Sequence, residues 1–379
     1  MLQEMENIRR ALNSRAVSLR YGSSLLIVSL GRNKLTPHGL FLPSWLMLEN
    51  GSSLPSKQGG GGVHPAVLSF IVLSGYCIHR NGFRAGSFDI KKYFTRRFFR
   101  IYPLYLLATL LGGVCYLWSS SIDAAMTQKL TATAELSLFA GISRVLCLSA
   151  FIPSLHTVTF QGNAPLHTVM VEIWLYVAYP FIAYWTMRKN KESLFWKLLI
   201  ITWVLGSCAS QFTQQMGWWN NGSFFSFLLF WWIGAKFVDA SFFERVHRYR
   251  YLLLASWMVC TLFLVQDLVK ISALKFLSSE MRKVLFAFSI GWAFVLLDRS
   301  AARVWVLLAW IGKPGYSLYA VHGPVTILML IQGFPWWQAA AAACLVALIF
   351  YWAFESRLTR LGKTLSTIRP KKVMAERHS

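Results

Sequence analysis

Apolar residues fall along the chain in runs of eleven to twenty, separated by short polar stretches. The runs lie near 21–31, 65–78, 102–119, 136–152, 169–187, 195–212, 223–239, 250–267, 283–297, 315–333 and 336–355. Runs of this kind predict membrane helices, because a bilayer core takes about twenty apolar residues of helix to cross. The most basic connections are 79–101, 188–197, 245–250 and the tail from Arg357, and positive loops stay on the cytoplasmic side. Alternating through all eleven runs would put 188–197 outside. The conflict disappears if 136–152 does not cross, and its sequence LSLFAGISRVLCLSAF holds Arg144 near the centre, a costly residue for a lipid-facing helix. The pattern therefore predicts an all-α polytopic membrane protein. It is a bundle of about ten transmembrane helices plus one re-entrant or interfacial segment, with both termini in the cytoplasm. Two places strain the scheme. The loop 268–282 becomes external although it carries Lys270, Lys275 and Arg282, and the first run is short.

Composition agrees with a membrane class. Of 379 residues 55% are hydrophobic and 14% charged, too few charges to cover a soluble surface of this size. The formal charge of +23 would suit nucleic acid, but the cations cluster between apolar runs, where topology accounts for them. No nucleic-acid partner is expected. Six cysteines, Cys77, Cys115, Cys147, Cys208, Cys260 and Cys344, lie in or beside apolar runs with no CxxC pair, so neither disulfides nor a metal site is expected. Glu4 and Glu6 precede the first run without a cleavable signal pattern, which predicts that the run is retained as a helix. The stretch SLPSKQGGGGVHP at 53–65 reads as a glycine-rich external loop. No repeat is visible. Residues 1–355 form one membrane-embedded domain, and 356–379 a basic cytoplasmic tail along the anionic leaflet.

Four stretches carry candidate chemistry. In KKYFTRRFFRIYPLYLLATLL, 91–111, Arg96, Arg97 and Arg100 are spaced so that Arg96 or Arg97 shares a helical face with Arg100, and Pro103 is expected at the start of the span. The cluster is either an ordinary positive flank or a grip for a phosphorylated cytosolic ligand. In NAPLHTVMVEIWLYVAYP, 163–180, Glu172 sits within an apolar span with Tyr176 one turn on and His167 toward the external end. A buried carboxylate there is a base with an orienting partner, or half of a structural Glu–Arg pair. In IGKPGYSLYAVHGPV, 311–325, His322 follows Tyr319 by three residues, an arrangement that also suits a core hydrogen-bonding histidine. In FIVLSGYCIHR, 70–80, Ser74 and Gly75 form a small pair that permits close helix approach or a kink.

Together, in this order, the four stretches resemble the acyltransferase 3 family of integral membrane O-acyltransferases, which modify bacterial surface glycans. The likeness runs from about Gly62 to Ala353. The family's FFVLSGF is matched by FIVLSGY at 70–76, RRFLRIYPLY by RRFFRIYPLY at 96–105, LWSLSVEWQFYLLYP by LHTVMVEIWLYVAYP at 166–180, and SYSLYLLH by GYSLYAVH at 315–322. The resemblance implies a ten-helix bundle in the plasma (inner) membrane. It implies transfer of an acetyl or other short acyl group from cytosolic acetyl-CoA or another acyl-CoA to a hydroxyl of an exported or lipid-linked glycan. Arg96, Arg97, Arg100 and Tyr102 would then meet the donor, Glu172, His167, His322 and Tyr176 would carry the chemistry, and Arg20, Ser74, Gly75 and Tyr319 would shape the channel.

The chain departs from the pattern once. The family's first span carries an arginine followed eleven residues later by a histidine taken to be the base; here Arg20 matches the arginine, and Gly31 stands at the second position. Either another histidine supplies the base, with His38, His64 and His167 on the external side, or the start of the chain is aberrant, or the protein lacks the base and is an inactive relative serving as a glycan transporter or export partner. His167, standing where tryptophan is usual, is as readily an interfacial packing residue as a replacement base.

Overall fold

The computed structural model describes residues 65–82, 89–130, 137–151, 163, 165–212, 223–265, 272–300 and 312–367. The first apolar run, Arg20, Gly31, His38 and His64 lie outside these residues.

The described elements are helical. In chain order they are α1 Pro65–Gly82, α2 Ile90–Ile122, α3 Ala124–Leu130, α4 Leu138–Val145, α5 Pro165–Ala183, α6 Glu192–Phe212, α7 Phe224–Lys236, α8 Ala240–Arg248, α9 Arg250–Val265, α10 Ser272–Ser300, α11 Gly315–Ile331, α12 Trp336–Phe350 and α13 Ser356–Thr367. Single π-helical turns follow α5 (Tyr184–Arg188) and α12 (Tyr351–Glu355). Helix is what a bilayer permits, since every backbone N–H must find its carbonyl within the segment.

Among the described residues four helical stretches are long and apolar enough to cross a membrane: Ile90–Ile122, Pro165–Thr186, Glu192–Ala209 and Trp336–Thr367. α7 and α8, bent by 99° at their junction, form a fifth if taken as one broken span. Three shorter apolar helices, Pro65–Arg80, Arg250–Cys260 and Gly315–Ile331, complete the bundle. The all-helical membrane architecture is therefore met, and the expected count of ten crossings only in part.

Two local expectations are corrected. Pro103 lies inside α2 rather than at its start, because the basic stretch before it is itself helical from Ile90, where Asp89 accepts the Lys92 amide at 2.9 Å as N-cap. The proline only removes one N–H from the ladder, and the helix continues. The stretch expected as the loop 268–282 is helical from Ser272, so Lys275 and Arg282 belong to α10, and Glu280 and Lys283 form a buried ion pair one turn apart.

Of the run 136–152 the described residues 137–151 form only short helical pieces, none long enough to cross a membrane. α4 is two turns long, Ser137 caps it by accepting the Ala140 amide at 3.1 Å, and Leu138, Phe139, Ile142 and Val145 are exposed while Arg144 is buried. Two tyrosines of α2 hold it down: Tyr105 donates to the Arg144 carbonyl at 2.7 Å and Tyr102 to that of Val145 at 2.9 Å.

α5 is the axis. It packs against α1, α2, α7 and α11, and two-thirds of its apolar window is buried. α1 and α7 meet at backbone contact. A Cβ added at Gly75 would collide with the Trp231 carbonyl, and one added at Gly234 with that of Val72. The Ser-Gly pair thus serves close approach, not a kink, and it places Ser74 against α5.

Candidate active site

Ser74 of α1, Glu172 and Tyr176 of α5, and Arg97 and Arg100 of α2 converge on the buried face of α5. Glu172 is completely buried. Its Oε1 accepts two hydrogen bonds, one from the Ser74 hydroxyl at 2.7 Å and one from the Tyr176 hydroxyl one turn along the same helix. Ser74 and Tyr176 also approach each other at 3.1 Å, but each hydroxyl has one proton, and both are committed to the carboxylate. Oε2 is buried with no partner among the described residues. An uncompensated buried oxygen costs about 1–3 kcal/mol, more for a charged group, so it marks a place where a ligand proton or hydroxyl belongs.

The arginines separate. The Arg97 guanidinium lies 5.2 Å from the centre of the Tyr176 ring and 5.9 Å from that of Tyr93, whose hydroxyl donates to the Tyr176 carbonyl at 3.0 Å. A cation over a π face keeps its edge donors available to an incoming anion. Arg100, one turn deeper, has its Nη2 buried without a hydrogen-bond partner. Both cations lie within Coulombic reach of Glu172. Arg96 points away: it is exposed, and its Nε donates to the Ser366 hydroxyl of α13 at 2.8 Å. The Tyr102 hydroxyl is turned to α4, as described above. Of the four residues expected at the donor, two therefore reach the carboxylate cluster.

His167 is buried near the start of α5, but Glu172 takes its partners from Ser74 and Tyr176; five residues along a helix turn the two side chains to different faces. Tyr319 of α11 stacks on Phe70 with ring centres 5.2 Å apart and stands beside His322. The His322 Nδ1 is 3.0 Å from the carbonyls of both Leu318 and Tyr319. Carbonyls only accept, so Nδ1 carries a proton, and Nε2 is the ring nitrogen left to act as an acceptor. Arg97 thus meets Glu172 through the Tyr176 ring, and Tyr319 and His322 lie on α11, which packs against both α2 and α5.

The sequence patterns passed over three participants. Asn163, before α5, donates to the Ala320 carbonyl at 3.0 Å and the Ala108 carbonyl at 3.4 Å, tying α5 to α11 and α2. Arg80 pairs with Asp298 at 2.6 Å, joining α1 to α10. Glu355 is buried at the end of the run 336–355, its Oε2 accepting from the Ser317 amide at 3.1 Å and hydroxyl at 2.6 Å. As the only carboxylate in that run, Glu355 was visible in the sequence; its partner across 38 residues was not.

The family model described as an acyltransferase domain matches residues 37–355, which covers every residue of this cluster and begins beyond Arg20 and Gly31. No curated protein and no solved structure matches the chain.

Proposed function

Because the chain belongs to the acyltransferase 3 family, we propose that it is a membrane O-acyltransferase that moves an acetyl or other short acyl group from cytosolic acyl-CoA to a hydroxyl of an extracytoplasmic or lipid-linked glycan. The observation that carries the reading is Glu172, with one carboxylate oxygen held by Ser74 and Tyr176 and the other unpartnered, beside two arginines. A carboxylate held at one oxygen is oriented at the other, which is the requirement for a base in a buried site.

The chemistry divides among the chain's own groups. Arg97 and Arg100 bind the donor's phosphates, and the acceptor hydroxyl lies within hydrogen-bond distance of Glu172 Oε2. Its oxygen attacks the thioester carbonyl carbon while the proton passes to Oε2. The tetrahedral intermediate then collapses with cleavage of the C–S bond, and the departing thiolate takes the proton back. Acyl-CoA and alcohol become ester and free coenzyme A with no other reactant. His322 of α11, whose Nδ1 proton is held by backbone carbonyls, is the candidate for a second base in a chain that has glycine at the family's first-span histidine position.

That glycine favours a second reading, a non-catalytic relative acting as a glycan transporter or export partner. Release of free coenzyme A by the purified protein in liposomes decides between them, comparing wild type with Arg97→Ala, Arg100→Ala, Glu172→Ala, His167→Ala and His322→Ala. Turnover lost in the arginine and Glu172 variants supports the transferase, and the two histidine variants identify which, if either, serves as base. A wild-type protein that neither binds nor consumes acyl-CoA overturns it.

A further inference from the structure

α11 begins without a cap of its own. Its N-cap position is Pro314, which offers no side-chain acceptor, although the first amides of a helix have no intrahelical partner. The Glu355 carboxylate supplies the acceptor from the other end of α12, taking the amide and hydroxyl of Ser317. A negative group at a helix N-terminus is also favoured by the helix dipole. Glu355 reaches that place because the chain makes a π turn at Tyr351–Glu355, the kind of irregularity that re-aims a side chain. On the same turn of α11, Tyr316 donates to the Ile101 carbonyl at 3.3 Å, next to Arg100 in sequence. α13, which follows Glu355 directly, lies along the arginine-bearing start of α2, with Gly362 against Phe99. The carboxylate thus ties the junction of α12 and α13 to the start of α11, and α11 and α13 both pack on α2.

Arg100 lies within Coulombic reach of two buried carboxylates, Glu172 and Glu355, and forms an ion pair with neither among the described residues. We infer that Glu355 is a positioning residue: it caps α11 through Ser317 and balances the pull on Arg100, so that Arg100 does not close onto Glu172 and Glu172 Oε2 stays open. In a low-dielectric interior a cation with one carboxylate within reach pairs with it, and that pairing would occupy the oxygen assigned to the reacting hydroxyl.

This rests in part on the acyltransferase reading, so the test has one readout that needs no substrate. Glu355→Gln keeps an oxygen acceptor for Ser317 but removes the charge, whereas Glu355→Ala removes both. With acyl-CoA, Glu355→Gln is expected to lower kcat about tenfold and to raise KM severalfold, because Arg100 drawn onto Glu172 occupies the base and leaves one phosphate contact unmade. Glu355→Asp should recover part of the rate. Independently, a thermal-unfolding cycle of Arg100→Gln with Glu172→Gln should be close to additive in the wild-type background and strongly non-additive when Glu355→Gln is also present. If Glu355→Gln matches wild type in rate and in both cycles, the residue is only a cap and the inference is overturned. If wild type turns over no acyl-CoA, the acyltransferase reading fails, and the unfolding cycles alone decide whether Glu355 keeps Arg100 from Glu172.

Discussion

α5 and α6 are consecutive in the chain and nearly equal in apolar character, with mean hydropathies of 1.4 and 1.3, yet 67% of one window is buried inside the protein and 28% of the other. α6 turns Leu194, Leu198, Ile200, Ile201, Val204 and Leu205 outward, where lipid tails are as apolar as any core. α5 turns His167, Thr168, Glu172 and Tyr176 inward, where neighbouring helices supply hydrogen bonds that lipid cannot. Hydropathy therefore says that each segment can cross, and says nothing about which one carries chemistry. The polar residues of a membrane helix reveal its surroundings better than its apolar ones do.

That contrast can be broken or sharpened by substitution. The largest effect is expected where burial is tightest, beside α5. Gly75→Val would drive a side chain into the Trp231 backbone, which cannot move as a flexible side chain can, so detergent-solubilised protein should elute aggregated rather than as a single species. Next is Glu172→Ala, which removes the base and should lower acyl transfer by about 100-fold or more; it also strips the Ser74 and Tyr176 hydroxyls of their acceptor and should lower the thermal midpoint.

Leucine truncations then compare the two helices directly. Leu175→Ala empties a site that is 0% exposed and should cost about 2–5 kcal/mol in denaturant unfolding, against less than about 0.5 kcal/mol for Leu205→Ala at 64% exposure. Equal costs would mean that α6 is covered by protein rather than lipid. The smallest functional effect is expected for Tyr176→Phe. The ring that carries Arg97 remains and only one of the two bonds to Glu172 goes, so the rate should fall about tenfold, worth about 1.4 kcal/mol, with the KM for acyl-CoA little changed.

Much of this was legible in the residues. The apolar runs marked the helices, Arg144 marked a segment that stays short, and the ordered stretches around Ser74, Arg97, Glu172 and Tyr319 marked the elements that meet. The error at Pro103 had a local cause: a run of cations looks like a loop, yet lysine and arginine are good helix formers that carry their charge away from the axis. Arg96, Arg97 and Arg100 could not be told apart by spacing, because spacing fixes which residues share a face and not what faces them. α13 takes Arg96, the Tyr176 ring takes Arg97, and Arg100 is left within reach of two carboxylates and paired with neither among the described residues.

The sequence by itself determined that the chain is a helical membrane protein, which segments are apolar enough to enter the bilayer, and which few polar residues had to find partners there. Hydrogen-bond satisfaction and apolar transfer are properties of each segment, so they can be read one segment at a time. Tertiary structure alone decided that Ser74 and Tyr176 share one oxygen of Glu172, that His167 is not its partner, and that Glu355 reaches across to cap α11. Those contacts join residues 98 and 38 positions apart, and they depend on the close crossing of α1 with α7 and on one π turn after α12, neither of which a hydropathy pattern encodes.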